Sequence, residues 1–133
     1  MFNINNQNVE LVSQKVTVIK SIMNEMSGYG LFIRFDFVNK ETNDRGYVDI
    51  NVGFEQANDI FAFENREYHE DDTSVMTIEA YDTEVFICPD LCGSAVIKLG
   101  KVVDNKIKAN INIDDDIKME FNGYLDIEKR TQE

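Results

Sequence analysis

His69 is the only histidine among the 133 residues, and it stands in Tyr68-His69-Glu70-Asp71-Asp72. As a general base it would need a nucleophile on one side and an orienting group on the other. Ser94, within Cys92-Gly93-Ser94, lacks the G-x-S-x-G setting that lifts a serine hydroxyl out of a tight turn. Neither Cys88 nor Cys92 has flanking residues of a kind that activate a thiol. His69 is therefore expected as an exposed loop residue and Ser94 as part of a turn. Cys88-Pro89-Asp90-Leu91-Cys92 has a spacing that zinc sites admit, but zinc requires two further ligands, and one histidine with scattered carboxylates supplies them poorly. Two small residues flanking a Pro-Asp turn explain the segment better. Glu70-Asp71-Asp72 and Asp114-Asp115-Asp116 offer oxygen ligands, yet neither fits the calcium loop pattern. No phosphate-binding loop, dinucleotide glycine motif or H-E-x-x-H is present. The expectation is no enzyme, no metal and no cofactor. A small hydrolase built on a carboxylate pair, which is spatial rather than sequential, ranks last.

Charge carries more information. Lys and Arg total 13 against 25 Asp and Glu, a net charge of −12. Residues 1–66 hold nine acids and six bases, while residues 67–133 hold 16 acids and seven bases. From Glu67 to Ile97 there is no Lys or Arg, yet eight acids occur: Glu67, Glu70, Asp71, Asp72, Glu79, Asp82, Glu84 and Asp90. This balance argues against direct nucleic-acid binding, which draws on clustered cations, and against docking on anionic membranes. Carboxylates gathered without counter-charge repel one another, so such a stretch either serves solubility or meets something positive. Opposite potentials steer encounter, and buried aromatic anchors then supply the energy. The expected recognition face is Glu67, Tyr68, Glu70, Asp71, Asp72, Glu79, Tyr81, Asp82 and Glu84, with the two tyrosines as anchors. Its expected partner is a basic protein, a toxin or a nucleic-acid-processing enzyme. The chain would then be a non-catalytic inhibitor, immunity-type or anti-defence protein that mimics nucleic acid in charge. The alternative is a structural or assembly subunit, such as a phage or surface-appendage component, that self-associates through strand edges.

The elements that must position these residues are mostly strands. Leu31, Ile33, Phe35 and Phe37 alternate with polar residues, as do Val48, Ile50, Val52 and Phe54, around the polar 40–46 turn, which reads as a hairpin. Ala95 to Val103, then Ile107, Ala109, Ile111 and Ile113, then Ile117, Met119, Phe121, Leu125 and Ile127 predict three more strands. Their reversals fall at Asp104-Asn105 and Asp114-Asp115-Asp116, with Gly123 letting the last strand bend. Val75 to Tyr81 and Glu84 to Cys88 read as two strands joined near Asp82-Thr83. Gln56 to Arg66 suits either a short helix or a buried strand. Val9, Val12, Val16, Ile19, Met23 and Met26 recur at spacings of three and four, which predicts a helix from Asn8 to the stop at Gly28 and Gly30, despite the β-branched Val16-Thr17-Val18-Ile19.

The predicted fold is mainly β (α+β), a single domain over 1–133: an antiparallel β-sandwich or barrel-like meander with one N-terminal helix. No charged start with a continuous apolar run opens the chain, and no stretch reaches the ~18 apolar residues of a membrane helix. Two cysteines do not make a disulfide scaffold. A cytoplasmic location with reduced thiols is the expectation.

Overall fold

The computed structural model describes residues 1–4, 6–23, 26–69, 76–80, 94–114 and 118–128. Their strands are β1 (Phe2–Ile4), β2 (Val9–Met23), β3 (Met26–Asn39), β4 (Arg45–Glu55), β5 (Glu67–His69), β6 (Met76–Ala80), β7 (Ser94–Val103), β8 (Lys106–Asp114) and β9 (Lys118–Ile127). All belong to one mixed sheet of order β5-β7-β8-β9-β2-β3-β4-β6, with β1 added on β9. Neighbours run antiparallel except β2 and β9, which meet in parallel at Lys15↔Asp126 and Val16↔Ile127.

The predicted hairpins form as read. β3 pairs β4 with Ile33 opposite Ile50 and Phe35 opposite Val48. β7, β8 and β9 follow as a meander. The Asp104-Asn105 turn has positive φ at both residues, 52° and 62°, the mirror-image turn whose twist suits a two-residue hairpin. Pairing of β8 with β9 is unbroken through Gly123, which faces Ala109. A Cβ on Gly123 would stand 3.2 Å from the Phe121 ring, so the missing side chain makes room for that ring. The expected strand over 75–81 is present as β6; Glu84 to Cys88 and residues 115–117 lie outside the described residues.

The described residues of 9–26 contain no helix. Val9–Met23 is a 15-residue strand, and the one described helical element is a single 3-10 turn, Ile60–Phe63. The apparent helical stripe does not share one face of the strand. Leu11 faces Phe37 and Ser13 faces Asp36, so Val12 is an extra residue without a partner position on β3, and it is 60% exposed while Val16 is buried. The bulge shifts the alternation by one residue at this point and hides the period of two. The β-branched run from Val16 to Ile19 then favours the extended chain.

The sheet is curled into a half-barrel around its own core rather than stacked as a sandwich. Leu31, Ile33, Phe35, Ile50, Ile97, Ile107, Ile111 and Leu125 are buried on the inner side, and Phe63 from the 3-10 turn closes one part of it. Phe2 stacks on Phe35 with centroids 5.3 Å apart, and Phe35 meets Phe121 at 4.9 Å. The curl depends on a close approach of β3 to β4. Gly53 has φ +89°, and a Cβ on Gly30 would lie only 2.8 Å from the Gly53 carbonyl oxygen. At this point β4 carries an extra residue between its pairings to Tyr29 and Leu31, which increases the local twist.

Candidate interaction surface

Three of the nine residues of the expected face lie among the described residues: Glu67 and Tyr68 on β5, and Glu79 on β6. Glu70, Asp71, Asp72, Tyr81, Asp82 and Glu84 lie outside them. β5 and β6 stand at opposite ends of the strand order, and the curl brings one end of the sheet towards the other at β4.

Tyr68 is not an exposed anchor. It is 5% exposed, and its ring packs over Gly53, where an added Cβ would sit 3.0 Å away. Its hydroxyl donates to Glu55 Oε2 at 2.7 Å. Burial, and then the Glu55 carboxylate beside it, hold the phenol well above the ordinary tyrosine range. Glu55 in turn pairs with Arg66 Nη2 at 3.7 Å. Tyr68 is therefore a packing residue that fastens β5 to β4, and the absence of a Cβ on Gly53 is what admits its ring.

Several described acids lie in register with bases on neighbouring strands, whereas Glu79 lies opposite another acid, Asp49. Glu67 is opposite Lys98 in the β5–β7 register, and its Oε2 lies 2.6 Å from His69 Nε2. His69 is thus a half-exposed strand residue rather than part of a loop. Glu79 is opposite Asp49, Asp49 opposite Arg34, Arg34 opposite Lys15, Lys15 opposite Asp126, and Asp126 opposite Lys106. One row of charged positions thus crosses six strands. Arg34 is its hub: Nη1 reaches Asp49 at 3.3 Å, Nε reaches Asp36 at 3.3 Å, and the guanidinium lies 4.5 Å from the centre of the Tyr47 ring. Ser13 Oγ donates to Asp36 at 3.0 Å, and Lys106 pairs with Asp126.

The ambiguous segment 56–66 forms an elbow whose exposed residue the sequence did not single out. Asp59 caps the 3-10 turn by accepting from Phe61 N at 3.0 Å. Phe63 is fully buried while Phe61 is 58% exposed. The two phenylalanines of Ile60-Phe61-Ala62-Phe63 look alike in sequence; the turn separates them.

Chemistry elsewhere is sparse among the described residues. They contain no group of three His, Cys, Asp or Glu able to hold a metal ion. Ser94 opens β7 opposite Asp114, and Cys88 and Cys92 lie outside the described residues. A shallow groove of about 360 Å³ beside β1, β8 and β9 is lined in part by Asn3, Asn112, Asp114, Lys118 and Glu120. Its two carboxylates are exposed, whereas a carboxylic acid that serves as a general acid needs an apolar pocket around it. No described helix is long and apolar enough to cross a membrane. Comparison with protein-family models, curated proteins and solved structures finds no match to this chain.

Proposed function

We propose that this protein is a non-catalytic acidic binding module of inhibitor, immunity or anti-defence type, which covers the basic, nucleic-acid-handling surface of an enzyme or toxin. The observation that carries this reading is the run from Glu67 to Ile97, with eight acids and no Lys or Arg in a chain of net charge −12. Of the described acids in this run, Glu67 and Glu79 lie on β5 and β6, the two end strands of the sheet order. Cross-strand bases at Lys98 and Arg34 stand near Glu67 and Asp49, so the weight of the proposal falls on Glu70, Asp71, Asp72, Tyr81, Asp82 and Glu84. Electrostatic attraction of this kind acts mainly on the association rate and falls with ionic strength.

The immobilised protein should retain a basic protein from an extract of its host, and the purified pair should associate more slowly as salt rises. Reversing Glu70, Asp71 and Asp72 to Lys should slow association at least tenfold and flatten its salt dependence. An unchanged on-rate refutes the assignment. The second reading, self-association through sheet edges, would use the end strands β5 and β6, although their three and five residues offer little edge for pairing. Sedimentation separates the two: salt-insensitive oligomers support assembly, and a monomer supports the inhibitor.

A further inference from the structure

β2 is paired along its whole length on one side only. β3 follows it from Val9 to Met23, whereas β9 meets it only at Lys15 and Val16, with Glu128 N donating to the Val16 carbonyl at 2.8 Å. Beyond that bond, residues 17–23 have no strand on the β9 side among the described residues. Backbone groups of a strand point alternately to its two sides, and the register with β3 is unbroken from Ser13 to Met23. The Val16 carbonyl faces β9, so the N–H and C=O groups of Val18, Lys20 and Ile22 face the same way, along an open edge. That edge is supported from behind, since β3 pairs it throughout and β4 backs β3 as far as Tyr29, which stands opposite Lys20. It runs over seven residues, 17–23, against three in β5 and five in β6. Lysine, proline or a bulge ordinarily blunts such an edge. Here Lys20 alone does so, beside the strand-forming run Val16-Thr17-Val18-Ile19.

Charge specifies what pairs with this edge. Residues 16–33 carry Lys20 and Glu25 alone, a net charge of zero, in a chain of net charge −12. Copies of so acidic a chain repel one another, and they approach at least cost through a neutral stretch. A strongly charged partner gains nothing from it. An antiparallel edge also complements itself, because two identical strands related by a two-fold axis offer each other the same donors and acceptors. We propose that residues 17–23 are the interface through which two copies of this protein join, β2 to β2, into a closed dimer with one sheet continuous across both. The contact goes beyond the readings above, since it uses neither the acidic run nor the end strands β5 and β6. The dimer is then the unit that meets a basic partner or grows further through those ends.

Sedimentation equilibrium of the full chain at several concentrations, in low and high salt, tests it. A monomer–dimer equilibrium is expected, with a dimer fraction that holds or rises as salt screens the net charge. Lys20→Pro removes an N–H that points away from β3, so the pairing of β2 with β3 survives. It should raise the dimer dissociation constant at least about tenfold and leave the circular dichroism spectrum that of the wild type. Lys20→Glu keeps the N–H and adds negative charge at the edge, so it should raise the constant by a smaller factor. A monomer at every concentration overturns the proposal, as does a dimer that both variants leave intact. Dimers that form only after residues 129–133 are deleted overturn it too, because they make the end of the same chain the occupant of this edge. None of these outcomes depends on whether a basic protein binds, so the acidic-recognition reading stands or falls separately.

Discussion

Tyr68→Phe removes one hydroxyl and leaves the ring over Gly53, which isolates the bond that fastens β5 to β4. That bond runs from a buried phenol to a carboxylate at 2.7 Å, and the Glu55 side chain is itself only 18% exposed. Hydrogen bonds to charged acceptors contribute about 1.5–3 kcal/mol, and a carboxylate deprived of its donor in a half-buried site loses more than one in water. Arg66 still reaches the other oxygen at 3.7 Å, which limits the loss. The expected destabilisation is about 2 kcal/mol, or roughly 5 °C in Tm for a domain of this size. Urea unfolding at pH 8 measures it. A cycle with Glu55→Gln should fall short of additivity by about 1 kcal/mol, since both changes break the same bond. The pH dependence has a defined sign. Tyr68 keeps its proton in the folded state above the pH, near 10, at which it ionises in the unfolded chain. Its contribution is fully present below pH 10 and is lost as pH rises above it. The wild type should therefore approach the variant in stability between pH 10 and 11. A loss under about 0.5 kcal/mol, or a gap that stays constant across that range, refutes the latch.

The bulge and the charged row yield three further outcomes. Deleting Val12 should leave the protein folded and within about 1 kcal/mol of wild type, because it restores continuous pairing from Leu11 to Ser13. Deleting Thr17 should abolish cooperative melting, because it turns every upstream side chain of β2 to the opposite face. Arg34→Met should cost about 2 kcal/mol by denaturant unfolding, since it leaves Asp49, whose side chain is 14% exposed, without its guanidinium; a loss below 0.5 kcal/mol would show that the row of charges contributes nothing to stability.

Where one face of a strand is buried and the other wet, the strand was legible. Leu31 to Phe37, Val48 to Val52, Ile107 to Ile113 and Met119 to Leu125 alternate in sequence and are buried on alternate positions in the fold. β2 was not legible for two physical reasons. The bulge at Val12 breaks its period, and Ile19 interrupts the polar row of Ser13, Lys15, Thr17 and Ser21. The β-branched run from Val16 to Ile19 was the better signal and was outweighed by spacing. Tyr68 reads as exposed because its acidic neighbours suggest solvent, whereas its burial is set by Gly53, 15 residues earlier, whose bare backbone receives the ring. The placement of Glu67 opposite Lys98 and the pairing of Asp49 with Arg34 depend on register across strands, which local composition does not reveal.

The parallel meeting of β2 and β9 has a consequence for how the chain assembles. β2 to β4 form one set of near-neighbour hairpins and β7 to β9 another, each closable through short loops. The junction between them joins residues more than 100 positions apart and rests on the two pairs Lys15↔Asp126 and Val16↔Ile127, with β1 lying along β9 beside it. Ordering the intervening chain opposes that step entropically, and few backbone bonds reward it at once. The two hairpin sets are therefore expected to form before they zip together along this line, and hydrogen exchange should show the amides of this junction opening before those of β3 and β8.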